Sequence, residues 1–183
     1  MGDGLNKALV LTILRHAEDF PWRMHDIGLM ALRLDEQRQY RLHVWDPTLS
    51  VGEPPIHDHP YDFTSEIVAG ELTNTLYHED RAGEDYVRFR YPPGAEDLRR
   101  SDTVRLSATA ATFTEGDHYR QRAQQLHASW QLPGTVTAIR CSWVEVPALT
   151  VCLREEGSWR SAQTRDARRQ EVKAMAARAL EWF

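Results

Sequence analysis

The stretch Pro55-Ile56-His57-Asp58-His59-Pro60 constrains this chain more than any other, because it sets two imidazoles two residues apart on extended backbone. On a strand such residues point to the same face, about 6.5–7 Å apart, so His57 and His59 can converge on one ion. Eight histidines in 183 residues would give about a third of a His-x-His pair by chance, so the pair needs company. His127 supplies it, in Gln125-Leu126-His127-Ala128-Ser129-Trp130, ahead of a Pro133-Gly134 turn and a β-branched run over 135–139. A strand with two histidines and a distant strand with one can meet only if the sheet closes or folds over itself.

The rest of the chain supplies such a sheet. From Tyr40 to Trp45, Leu42 and Val44 alternate against Arg41, His43 and Trp45, a strand with one apolar face. On that strand His43 is expected at the surface. Further strands are read over 64–78, 86–90, 103–114 and 135–146, separated by turn signals about every 8–12 residues, the pattern of a sandwich or barrel. Gly70 marks a tight bend, residues 81–85 a turn, Pro92-Pro93-Gly94 a strand end, and 95–102 a charged loop in which Arg99 and Arg100 are candidate anion contacts. Helices flank this core. Residues 5–18 carry an apolar stripe with Asp3 as N-cap and His16 as a partly buried core residue. Residues 26–34 form a second short helix or lead into the first strand. A helix beginning near Asp166 places Val172, Met175, Ala176, Ala179, Leu180 and Phe183 on one stripe, for core packing or a subunit contact. The chain thus divides into an N-terminal helical extension (1–39), a β-barrel (40–153) and a C-terminal helical extension (154–183), all one globular unit.

A net charge of −5 and a pI near 5.9 give no electrostatic case for nucleic acid or anionic membranes. Cys141 and Cys152 form no metal-spacing motif and are too few for a secreted disulfide scaffold, so a reducing cytoplasm is expected. No apolar run reaches the length of a membrane span, and the charged residues Arg15, Glu18 and Asp19 stand where a signal peptide would need a small-residue cleavage site.

The His57-x-His59 strand, Gly70 and the later His127 resemble the two motifs of the cupin superfamily, over roughly residues 40–146. The resemblance implies an all-β core built as a double-stranded β-helix, or jelly-roll barrel, with short helices at both termini. It also implies one divalent ion held by His57, His59 and His127. Many cupins add a glutamate four or five residues after the second histidine. Phe63 and Thr64 stand there, and Glu66, the nearest glutamate, falls on the other face of a regular strand, so it ligates only if a bulge shifts the register. Three-histidine ligation and the His-Asp-His wording look most like the thiol dioxygenases, of which cysteine dioxygenase is the familiar member. The expected function is therefore a metal-dependent enzyme acting on a small polar molecule, an oxidoreductase using Fe(II). Zn or Ni, with Mn as a further candidate ion, would instead support isomerase, lyase or hydrolase chemistry, and a non-catalytic ligand-binding cupin is the third reading.

That family holds a substrate carboxylate with an upstream arginine, matched loosely here by Arg33, and keeps a tyrosine on a late strand, for which 135–146 has no counterpart. Tyr119, shortly before His127, is a candidate contact from the preceding segment. Arg140 is another, since an interior arginine needs an anionic partner. Asp58 is expected as a second-layer hydrogen-bond partner or a surface carboxylate. The expected partners are a small-molecule substrate and a second copy of the chain, through the barrel or the terminal helix.

Overall fold

The computed structural model describes residues 6–37, 39–50, 54–91, 99–146, 148–154 and 164–183. Among them the chain is mostly β. In order it forms α1 (Lys7–Arg15), a 3-10 turn (Ala17–Asp19), β1 (Arg23–His25), β2 (Ile27–Arg33), β3 (Tyr40–Ser50), β4 (Ile56–His57), β5 (Tyr61–Ala69), β6 (Glu71–Tyr91), β7 (Arg99–Thr114), β8 (His118–Gln121), β9 (His127–Gln131), β10 (Val136–Trp143), β11 (Leu149–Leu153), β12 (Thr164–Asp166) and α2 (Arg169–Leu180). No helix among these residues is long and apolar enough to cross a membrane.

The strands make two antiparallel sheets. The larger has the order β12-β1-β2-β3-β10-β5-β8 and the smaller β11-β4-β9-β6-β7, with β11 also pairing β6. Strand alternation gives the larger sheet two unlike faces. Met24, Met30, Leu32, Leu42, Val44, Val136 and Ala138 point to one side, where they form the main core with Val10, Ile13 and Leu14 of α1 and Val172, Met175, Ala176 and Ala179 of α2. Burying each large apolar side chain there stabilises the fold by about 1.5–3 kcal/mol. The intervening residues face the smaller sheet across a cavity. The main hydrophobic core therefore lies between helices and sheet, outside the space between the sheets.

α1 forms because Val10, Ile13 and Leu14 repeat at helical spacing and because the Asn6 side chain accepts from the Ala8 N–H at 2.9 Å. The expected cap Asp3 and the first stripe residue Leu5 lie outside the described residues, as do Gly52, Pro92-Pro93-Gly94 and Pro147. The helix ends at Arg15, so His16 leaves the stripe and its side chain is 66% exposed, against the expected burial. Residues 26–34 give no helix. The 1–39 segment instead supplies β1 and β2 to the larger sheet, and the C-terminal segment supplies β12, which pairs with β1. The α2 stripe is covered by its own chain, and Arg178 ties the helix to buried Asp46 of β3 at 2.6 Å.

Residues 81–85 do not form a hairpin turn. β6 continues through them, and Glu79 and Glu84 both register opposite Leu106 of β7, which throws Asp80–Gly83 out as a bulge. The flanking halves pair with one partner strand, so the turn-like composition marks an irregularity and not a reversal. Arg99 and Arg100 lie at the start of β7.

Gly70, between β5 and β6, has φ +86, and a Cβ there would stand 2.8 Å from the Thr135 Cα. Gly116 has a similar φ of +87 with open space around it. Gly70→Ala should therefore destabilise the protein by about 2 kcal/mol or more, and Gly116→Ala by about 1, from the positive φ alone. Urea denaturation of both variants measures the difference, and equal losses would remove the close approach at Thr135 as a constraint.

Candidate metal centre

β4 and β5 belong to different sheets, and the chain crosses between them at 58–60. His57 registers with Val151 of β11 and with His127 of β9, which sets the first and third histidines side by side. His57, His59, Tyr61, Phe63 and Ser65 line the cavity, joined at the crossing itself by Asp58 and Pro60. Asp58 is buried and fixes the crossing: its N–H donates to the Thr150 carbonyl at 3.1 Å and its Oδ1 accepts from the Thr150 N–H at 2.8 Å. It is neither a member of the histidine group nor a surface carboxylate.

The three imidazoles meet. Ring centroids are 4.7 Å apart for His57 and His59, 4.8 Å for His57 and His127, and 5.1 Å for His59 and His127. Their donor atoms all lie within 4.8 Å of one another. His59 Nε2 and His127 Nε2 are 3.0 Å apart, a separation at which two lone pairs are stable only with a proton or a cation between them. Two nitrogens bound at about 2.1 Å and a right angle to one ion are also about 3.0 Å apart.

Hydrogen bonds set which nitrogen faces inward. His57 Nδ1 lies 2.9 Å from the Pro55 carbonyl, which only accepts, so Nδ1 carries the proton and Nε2 the lone pair. His127 is set by a longer chain. Gln121 Nε2 donates to the Gln125 carbonyl at 2.9 Å, so Gln121 Oε1 is left to accept from Asn74 Nδ2 at 3.3 Å. Asn74 Oδ1 then accepts from His127 Nδ1–H at 2.8 Å, which leaves His127 Nε2 unprotonated. An imidazole held by one nitrogen and presenting the other is the arrangement metal-ligating histidines use.

Burial keeps these rings neutral. It lowers His57 below the usual imidazole range, partly offset by the Pro55 carbonyl. It lowers His127 to about 3, with His57 adding repulsion, and takes His59 well below 6.5, with His57 and His127 contributing. Neutral imidazoles, two of them with Nε2 lone pairs set by hydrogen bonds, fit a divalent cation.

The other candidates separate. Arg33 and Tyr119 line the cavity; Glu66 and Arg140 do not. Glu66 registers with Ala138 and His118, on the face of β5 opposite Phe63 and Ser65, and the irregularity in the β5–β10 pairing falls beyond it, between Ile67 and Ala69. Arg140 is exposed, its guanidinium 5.8 Å from the Tyr40 ring centroid. Tyr119 packs its ring 6.0 Å from Phe63 and stacks on Phe113 at 4.8 Å.

Sequence reasoning missed Arg41, His43 and Tyr61. Tyr61 stacks on His59 at 5.0 Å, and its hydroxyl accepts from Arg41 Nη1 at 3.1 Å. Arg41 also lies over the Tyr61 and Trp143 rings, at 4.9 and 5.9 Å, while its Nε is buried without a partner among the described residues. His43, expected at the surface, is only 7% exposed, lines the cavity and has a buried Nδ1 with no partner among the described residues. The alternation of β3 was visible in sequence. Helices cover the apolar side of β3, and its polar side faces the cavity.

No protein-family model matches the chain, and no curated protein sequence matches it significantly.

Replacing His57, His59 or His127 by Ala should abolish stoichiometric metal uptake, while His16→Ala leaves it unchanged; elemental analysis after reconstitution reads both. Asn74→Leu should weaken metal binding about 10–100-fold by freeing the His127 tautomer, and a competition titration with a chromophoric chelator measures it. His43 also carries an acid signature. Burial lowers its pKa from 6.5 to about 3, so the folded state binds this proton more weakly than the unfolded chain. The stability it contributes is complete above pH 6.5 and is lost as pH falls toward 3. Urea titrations of metal-free protein across that range should show a shallower decline for His43→Leu, by one proton per molecule; an unchanged slope would contradict the assignment.

Proposed function

We propose that this protein is a metal-dependent, cupin-type enzyme, and that its chemistry is that of a non-haem Fe(II) dioxygenase acting on an organic substrate with an anionic group. The observation that carries the reading is the convergence of three neutral imidazoles, two with Nε2 lone pairs set by backbone-anchored hydrogen bonds, on the wall of a cavity of about 1020 Å³. Bound Fe(II), keeping its full charge and open positions beside neutral ligands, would supply activation of dioxygen.

The chain's own residues bind and orient. Arg41 lines the cavity, and Arg33, which also lines it, registers directly opposite on the neighbouring strand. A carboxylate in the cavity beside Arg41 and Arg33 would offset their positive charge. Tyr61 and Phe63 pack their rings against His59, at 5.0 and 5.5 Å, and hold the imidazole in place. His43 offers one further neutral hydrogen-bonding group on the same strand as Arg41. Asn74 and Gln121 act through His127, whose ring they hold.

Metal content of the untagged protein, purified anaerobically without added metal, tests this reading together with oxygen consumption. Near-stoichiometric iron and substrate-dependent oxygen uptake, both lost in His127→Ala, are expected. Zinc or nickel, with turnover that needs no oxygen, would replace the dioxygenase by isomerase, lyase or hydrolase chemistry. Failure to take up any metal on reconstitution would overturn the enzyme reading in favour of a ligand-binding protein.

A further inference from the structure

The cavity is too large and too apolar for a small polar substrate alone. An amino acid of roughly seven heavy atoms displaces about five waters, about 150 Å³ at about 30 Å³ each, whereas the cavity measures about 1020 Å³. Sites of about 300–1000 Å³ take ligands of drug size. Every strand of the seven-stranded sheet contributes a lining residue, from Thr164 on β12 to Tyr119 on β8. At about 4.8 Å per strand that wall spans about 29 Å before curvature.

Its chemistry is divided. Charged and hydrogen-bonding groups lie on the larger sheet at Arg23, His25, Arg33, Arg41 and His43, and across the cavity at the three histidines. Between and beyond them the wall is made by Leu29, Ala31, Trp45 and Ile139 of the larger sheet and by Leu72 and Val151 of the smaller. Trp45 Nε1 donates to Thr137 Oγ1 at 3.1 Å, so its polar atom is already used and the ring offers only apolar surface. A free amino acid held at Arg41 would leave this wall against water, which the hydrophobic effect disfavours.

We propose that the natural ligand is an amphipathic organic anion, with its anionic group at Arg41 and an alkyl or aryl body lying across Leu29, Ala31, Trp45 and Ile139. The inference rests on the proposed enzyme reading for what happens to the ligand, and on the cavity alone for its binding.

Calorimetric titration of the full chain tests it, using acetate, cysteine, hexanoate, octanoate, 3-phenylpropanoate and 3-phenylpropanamide as probes, with metal content measured on the same samples. Affinity should rise about fourfold per added methylene, the factor that about 0.8 kcal/mol per buried CH₂ implies. The amide should bind at least tenfold more weakly than its acid. Arg41→Met should weaken all the anions and leave the dependence on chain length intact, whereas Ala31→Phe, which fills the apolar floor, should remove the gain for the longer acids without changing metal content. A flat series, cysteine as the tightest probe, or full affinity in Arg41→Met would overturn the inference. A flat series in fully metal-loaded protein would overturn it alone; a steep series in protein that takes up no metal would support it and overturn the enzyme reading instead.

Discussion

The structure depends on the unlike faces of its seven-stranded sheet. Strand alternation sends Met30, Leu32, Leu42, Val44, Val136 and Ala138 to the helices, and that contact carries the main hydrophobic core. Because cohesion is secured there, the opposite face need not be filled. It can hold Arg41, His43, Tyr61 and Ser65 against a cavity, an arrangement costly for a protein whose only core lay between its sheets. The smaller sheet has its own apolar cluster, in which Ala128 and Cys152 take part, next in sequence to the cavity-lining His127 and Val151.

Within that frame the site is assembled by one crossing and one bulge. The crossing at 58–60 takes the chain from the smaller sheet to the larger, and His57, His59, Tyr61 and Phe63 along it supply two imidazoles and two aromatic walls. The bulge at Asp80–Gly83 divides β6 into two halves, one edged by β9 and the other by β11. Two-residue β4 lies between those two strands and carries His57 to His127. The hydrogen-bond chain from the Gln125 carbonyl through Gln121 and Asn74 then decides which nitrogen of His127 is bare. A backbone carbonyl cannot change its role, so the orientation of every side chain along the chain follows from it.

Much of this was legible in the sequence, and the failures have a common origin. The mostly β architecture and the terminal helices follow from periodicity, the pairing of His57 with His59 from their spacing, and the addition of His127 from the resemblance to the cupin motifs. The position of Glu66 across the strand from Phe63 follows from periodicity too. What periodicity cannot say is which side of a strand is the inside. Leu42 and Val44 mark an apolar face, and the helices that cover it come from both ends of the chain, beyond any local window. His43 is consequently expected at the surface from sequence, though it and Arg41 line the cavity. His16 failed for the opposite reason: one residue past the end of α1, it keeps the sequence spacing of the stripe but not its direction. Tyr61 was missed because the side of β5 that joins the histidines is fixed only by the crossing between sheets.

The separation of core from cavity by a sheet has a consequence for how such a protein can change. Substitutions at Leu29, Ala31, Trp45 or Ile139 alter the shape of the cavity while the methionines, leucines and valines on the opposite face keep their neighbours. Variation in ligand preference is thereby largely uncoupled from loss of folding free energy, and distant descendants of one ancestor can diverge along the inner face until little sequence likeness survives. The histidines and their hydrogen-bond anchors are bound to one another by geometry and lack that freedom, so in such a lineage they would be the last recognisable trace.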